Sequence, residues 1–110
     1  MTFDFSEFKN KKIIVTGSST GIGFETGVEF LNLGANVIFH GNQSINDLEA
    51  RIKTKSQSKN FKLFKSDFTD LSQVDNFMND AINYLDGLDI LVNNAGTMVG
   101  RYQLDTISEK

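Results

Sequence analysis

Thr16-Gly17-Ser18-Ser19-Thr20-Gly21-Ile22-Gly23 is the stretch whose residue types and spacing can do chemistry. It follows a short apolar run, Lys12-Ile13-Ile14-Val15, and opens a helical pattern. Backbone N–H groups at a helix N-terminus point at whatever lies beyond it, and the helix dipole favours an anion there. Glycine lets the backbone come close and take positive φ. Strand, glycine turn and helix in this order therefore make a seat for a pyrophosphate. Gly17 and Gly21 shape the turn, and Gly23 lets the helix sit close to the sheet or the phosphates. Ser18, Ser19 and Thr20 bring hydroxyls to phosphate or ribose. The spacing is G-x-x-x-G-x-G rather than the G-x-G-x-x-G of the commonest dinucleotide fingerprint.

Three more clusters fall at strand ends. After the second strand the chain reads His40-Gly41-Asn42, where an Asp or Glu would bond both ribose hydroxyls and select NAD. With no acid there a 2′-phosphate is not repelled, which favours NADP, although no Arg or Lys sits in the turn to pair it. His40 reads as a strand-end histidine bonded locally, with an adenosine contact as its functional alternative. Asp67, after the third strand, can accept from an adenine amino group, and the Phe68 backbone can bond the ring. The structural alternative for Asp67 is a helix cap, which Asp70 or Ser72 could equally provide. Asn94, in Asn93-Asn94-Ala95-Gly96, can bond the backbone of neighbouring strands and hold a crevice open for a ribose; its alternative is a plain Asn turn.

The elements that must position these residues follow from pattern. Strands are expected at 12–16, 36–40, 61–65 and 88–92. The first suits burial on both faces, and the lysines alternating in Phe61-Lys62-Leu63-Phe64-Lys65 suit an edge. A first helix over 21–33 has Gly34 as its C′ residue, with Ile22, Phe30 and Leu31 able to face the sheet. Ser44 can cap a second helix running to Ser56, with Ile45, Leu48 and Ile52 on one face. The third, 72–85, carries the clearest stripe: Val74, Phe77, Met78, Ala81, Ile82 and Leu85, a core-packing pattern ended by Gly87. Phe3, Phe5 and Phe8 in the lead-in can cover a sheet edge or a helix. This β-α-β-α-β-α-β order gives a doubly wound parallel sheet, order 3-2-1-4, in one α/β domain over residues 1–110. Its switch point lies between the first and fourth strands, where both glycine-bearing turns end and where such sheets bind ligands.

Composition narrows the alternatives. A hydrophobic share of 39% and a charged share of 23% allow a packed core. The net charge of −3 gives no electrostatic reason to expect nucleic acid or an anionic membrane as partner. There are no cysteines, which excludes disulfides and thiolate metal sites and leaves a cytoplasmic setting unopposed. The start, MTFDFSEFKNKK, lacks the apolar segment of a secretory signal, and no stretch is long and apolar enough to span a bilayer.

With these residues in hand the chain resembles the amino-terminal half of the short-chain dehydrogenase/reductases, near the 3-oxoacyl-acyl-carrier-protein reductases. The resemblance covers residues 8 to 100 and rests on Thr16 to Gly23, the Asp67 turn and Asp89-Ile90-Leu91-Val92-Asn93-Asn94-Ala95-Gly96. It implies a Rossmann fold, an NAD(P) cofactor and hydride transfer between nicotinamide and a small carbonyl or alcohol. It also implies that Gly17 to Gly23, Asn42, Asp67, Phe68 and the Asn94-Ala95-Gly96 turn contact or frame the cofactor. The family's catalytic Asn, Ser and Tyr-x-x-x-Lys are expected beyond residue 110; Tyr102 is followed four residues on by Thr106, not Lys. The chain is thus expected to be the cofactor-binding half, inactive alone. A non-catalytic dinucleotide-binding module and one piece of a split enzyme are the alternatives. The bare edge of the fourth strand is expected to self-associate or to be covered by a partner.

Overall fold

Among the described residues, aliphatic runs flanked by glycine turns and amphipathic stripes settle into four strands and three α-helices. The structure is a computed structural model that describes residues 6–42 and 46–95. After a 3-10 turn at Ser6–Phe8, the elements are β1 (Lys12–Thr16), α1 (Gly21–Asn32), β2 (Asn36–Gly41), α2 (Asn46–Lys55), β3 (Phe61–Lys65), α3 (Leu71–Leu85) and β4 (Ile90–Asn93). The strands form one sheet in the order β3-β2-β1-β4, and every pairing is parallel. This is the Rossmann-like doubly wound arrangement expected from the sequence.

β1 and β2 are buried on both faces because two separate cores form. Ile13, Val15, Val37 and Phe39 pack on one side with Phe24, Val28 and Leu31 of α1 and Leu48 and Ile52 of α2. Ile14 and Ile38 pack on the other with Phe68 and with Val74, Phe77, Met78, Ala81 and Leu85 of α3. The α3 stripe is therefore core, as its period predicts. Its N-cap is Asp70, whose side chain accepts from Ser72 N–H at 3.0 Å. Asp86 ends the helix in the left-handed region, at φ 61°, one residue before Gly87.

The sheet-facing side of α1 differs from expectation. Ile22 is 80% exposed, and the buried face is Gly23, Phe24, Gly27, Val28 and Leu31. Two glycines sit in that face because the helix lies so close to the sheet. A Cβ at Gly27 would run into the Phe39 ring, 2.8 Å from its Cζ. Phe30 is half-buried and meets Phe8 with ring centroids 5.5 Å apart, so one of the three leading phenylalanines does cover a helix. Phe3, Phe5, Ser44 and Ile45 lie outside the described residues. β4 begins at Ile90 rather than Leu88. Asp89 instead clamps the start of β1, accepting from Lys12 N–H through its carboxylate at 2.9 Å and donating its own N–H to Lys12 O at 2.8 Å.

Candidate functional site

The carboxyl ends of β1 and β4 meet at the point where the chain switches direction across the sheet, Thr16 pairing with Asn93. Thr16 is fully buried, and its hydroxyl organises both turns. Oγ1 accepts from Asn94 N–H at 3.0 Å and from Ala95 N–H at 3.1 Å, and lies 3.2 Å from Asn93 Oδ1. Sequence reasoning placed Thr16 in the motif without a task. Its signal was a hydroxyl at the end of an otherwise aliphatic buried strand. Asn93 Nδ2 is buried and has no hydrogen-bond partner among the described residues.

Beyond Thr16 the backbone reverses through Gly17, at φ +60°, and enters the helix through Gly21, at φ +62°. Both values lie in the left-handed region that glycine takes without strain. The Gly17 carbonyl accepts from Asn94 Nδ2 at 2.9 Å, joining the β1 turn to the β4 turn. Gly23 packs directly on this junction. A Cβ there would collide with Gly17 O and come within 2.6 Å of Asn94 Nδ2. Gly21 faces open space. Thr20 takes the N-cap position of α1 with extended dihedrals and makes no side-chain cap bond. The N–H groups of the first helical turn have no intrahelical acceptor, so they point into the crevice with the positive end of the dipole behind them. No acidic residue sits in that first turn to neutralise it.

The three hydroxyls of the turn part company. Ser18 is fully buried: its hydroxyl donates to Val15 O at 2.6 Å and accepts from His40 N–H at 2.7 Å. It pins the turn between β1 and β2. Ser19 is half-buried, Thr20 exposed. Ser19 lies over the end of β2, where a Cβ on Gly41 would come within 2.8 Å of it. Ile22 projects outward at the same helix end.

At the end of β2, His40 bonds backbone groups far from it in sequence. Its Nδ1 accepts from Gly17 N–H at 2.9 Å and Nε2 lies 2.9 Å from Ser66 O. Burial pushes its pKa below the ordinary value, partly opposed by the Ser66 carbonyl. Asn42 is an exposed bend residue. Asp67 is exposed and caps no helix; Oδ1 accepts from the Thr69 hydroxyl at 2.7 Å and the Thr69 N–H at 3.0 Å, which together hold its carboxyl below the usual range. The Phe68 ring is buried and stacked on His40, which leaves its backbone for any ligand. Ala95 is half-buried, and Gly96 lies outside the described residues.

A surface concavity of about 670 Å³ lies elsewhere, at β3, among Glu49, Lys53, Phe61, Lys62 and Tyr84. It holds none of the turn residues. At the switch point, the groups that could meet a ligand are the N–H groups of the α1 N-terminus and the glycine backbone of the turn. Among the described residues no group of His, Cys, Asp or Glu could hold a metal ion, and no helix is long and apolar enough to cross a membrane.

A family model described as short chain dehydrogenase matches residues 11–110. The chain belongs to the short chain dehydrogenase family. Among curated members, glucose 1-dehydrogenase of Gluconobacter oxydans is 33% identical over 103 residues, which cover 93% of this chain and 37% of that protein. Sorbose reductase of Candida albicans is 33% identical over 93 residues, 84% of this chain and 33% of that one. The chain thus spans less than two fifths of the length of these short chain dehydrogenases. Among solved structures, an NADH-dependent reductase complexed with NAD superposes with a TM-score of 0.71 at 28% identity, covering 82% of this chain and 38% of that one. Glucose dehydrogenase of Caenorhabditis elegans in its apo form gives 0.72 at 33% identity, covering 86% and 41%.

Proposed function

We propose that this chain is the dinucleotide-binding part of an oxidoreductase that moves a hydride between a nicotinamide cofactor and a small carbonyl or alcohol. One observation carries the reading. The uncapped N-terminus of α1 opens on a crevice whose wall, built by Gly17, Gly23 and Asn94, has no room for a further methyl group. That is the shape and polarity a pyrophosphate needs. The NAD bound by the solved reductase supports the same cofactor class.

In this reading the first-turn N–H groups from Gly21 to Gly23 hold the pyrophosphate, with Ser19 and Thr20 beside it. Asn42 borders the adenosine ribose, Asp67 and the Phe68 backbone meet the adenine, and Asn94, Ala95 and Gly96 border the second ribose. Ser18 acts from beneath, through the turn. NADP is favoured over NAD because His40-Gly41-Asn42 places no carboxylate where a 2′-phosphate would sit. When bound, the nicotinamide supplies the hydride chemistry. Residues 1–110 form one domain that orients the cofactor and contributes no proton donor. The outer edge of β4, which pairs with no strand among the described residues, is covered in the assembled protein by a further strand or a second chain.

Calorimetric titration of the folded, monodisperse chain with NADPH and NADH tests this. Binding to both, tighter for NADPH, is the expected result. Failure to bind either one refutes the site, and carbonyl-dependent NADPH oxidation by the chain alone refutes the absence of a proton donor.

A further inference from the structure

His40 is the single histidine of the chain and is buried at the carboxyl end of β2. Its two ring nitrogens face unlike partners: Gly17 N–H at Nδ1 and the Ser66 carbonyl at Nε2, each at 2.9 Å. An amide N–H can only donate and a carbonyl can only accept. Nδ1 therefore carries the lone pair and Nε2 the proton, so the ring is neutral and its tautomer is set by two backbone groups. Phe68 stacks on it with centroids 3.9 Å apart, and Phe77 closes in at 5.0 Å. The main chain of His40 grips the same turn, donating N–H to Ser18 Oγ and accepting Ser18 N–H at its carbonyl, each at 2.7 Å.

We propose that His40 is a positioning residue for the dinucleotide: its neutral ring holds Gly17 in the conformation that shapes the phosphate seat, and protonation of the ring releases the turn and weakens binding. This rests on the dinucleotide reading above. The Gly17 residue is held at both ends, its N–H by His40 and its carbonyl by Asn94. A proton on Nδ1 sets one N–H against another. The Gly17 peptide then turns away, and its carbonyl, on which Gly23 packs, moves with it. A change of charge under β2 thus reaches the helix N-terminus through one residue. The groups facing the ring are the Gly17 amide from the β1–α1 turn, the Ser66 carbonyl and Phe68 from the β3–α3 connection, and Phe77 from α3. Burial, opposed by the Ser66 carbonyl, lowers its pKa; the charged residues on the elements packed against it are Lys65, Asp67 and Asp70 at that connection and Asp75 and Asp80 on α3.

The test compares wild type, His40→Asn and His40→Gln for NADP⁺ affinity by calorimetry between about pH 8 and about pH 5.5. Asn Oδ1 can replace Nδ1 as acceptor for Gly17. Gln reaches towards Ser66 and leaves Gly17 without an acceptor. At the upper pH His40→Asn is expected to bind like wild type, while His40→Gln is weakened about tenfold, the effect of one lost buried hydrogen bond. Acidification to about pH 5.5 is expected to weaken wild type more than His40→Asn, by less than about tenfold because burial holds the ring's pKa below its ordinary value, while the profile of His40→Asn carries only the ligand's own titration. Equal affinity of all three proteins at both pH values overturns the proposal. Nitrogen-15 NMR of wild type gives a readout that needs no nucleotide. Nδ1 is expected to be unprotonated, with the Gly17 amide shift moving as His40 titrates; a protonated Nδ1 in the neutral ring, or a Gly17 amide blind to that titration, overturns the proposal. A wild type that binds no nucleotide but shows this coupling rejects the dinucleotide reading alone.

Discussion

Replacing Gly23 by Ala tests the packing on which the phosphate seat depends. The added methyl meets Gly17 O and, at 2.6 Å, Asn94 Nδ2. Ordinary contacts there require well over 3 Å, so something must move by a large fraction of an ångström. The two obstructing atoms are bonded to each other at 2.9 Å, so displacing Asn94 loses a hydrogen bond of about 1 kcal/mol. The Gly17 carbonyl cannot swing freely, because the residue sits at φ +60° with its N–H on His40. The remaining response is for the first turn of α1 to lift off the sheet, against the packing of Phe24, Val28 and Leu31. Overpacking of this kind costs about 1–3 kcal/mol. Alanine returns up to about 1 kcal/mol of helix propensity, which roughly offsets the lost Asn94 bond. The net expectation is a loss of about 1–3 kcal/mol in urea unfolding, together with at least a tenfold loss of dinucleotide affinity, because the displaced turn carries the N–H groups.

Gly27→Ala supplies the control. Its methyl strikes the Phe39 ring one turn further along the same helix, on the core side and away from the crevice. Phe39 is fully buried beside Phe24 and Phe61 and cannot step aside. Stability is expected to fall by a similar amount, with affinity per folded molecule nearly unchanged. An unaltered urea midpoint for Gly23→Ala refutes the close approach. Equal losses of affinity for the two variants refute the placement of the ligand at the α1 N-terminus.

Thr16→Val keeps the shape but removes the acceptor shared by Asn94 N–H and Ala95 N–H, and is expected to cost about 1–3 kcal/mol in urea unfolding; an unchanged midpoint refutes the role given to that hydroxyl. Asp70→Ala removes the α3 cap and is expected to lower stability more than Asp67→Ala, whose bonds are confined to its own turn; the reverse ranking in denaturant melts rejects the cap assignment. Stability should be level above about pH 7 and fall in two stages as acid is added. The folded form of His40 resists a proton that the unfolded chain accepts near 6.5, so its contribution is lost from there downward. Asp67 and Asp70 are held below their ordinary 3.8, so theirs is present above that value and disappears as pH falls through the depressed folded values. His40→Asn should erase the upper stage and keep the lower, and an upper stage that survives this substitution must come from another group.

Strand order and the switch point were legible from the alternation of strands and helices and the hand of their crossovers, and the β3 and α3 patterns from residue type repeated at a fixed period. Phe61–Lys65 and Val74 to Leu85 needed nothing beyond that. The inward face of α1 was not legible in the same way. Its closest approach to the sheet is made at Gly23 and Gly27, residues that hydrophobic patterning does not count, so the apparent stripe shifts onto Ile22. That His40 reaches Gly17 and Ser66 at once was not legible, since those contacts join positions 23 and 26 residues apart.

The hydroxyls of the turn show why residue type overstates what a site can offer a ligand. Thr16, Ser18, Ser19 and Thr20 look interchangeable in sequence. The positive φ of Gly17 and Gly21 divides them, turning the first two beneath the turn and leaving the last two at its surface. The same division applies to the backbone: the Gly17 and Ser18 N–H groups are both engaged by His40, one by its ring and one by its carbonyl. The donors left for an anion come after Ser18 and include those on the first turn of α1. Affinity for a dinucleotide should therefore respond to the placement of that helix end more than to the hydroxyls of the loop. Substitutions at Ser18 should act on binding by loosening the β1–β2 knot rather than by removing a ligand contact, so Ser18→Ala should lower stability and affinity together, while Thr20→Ala should lower affinity alone.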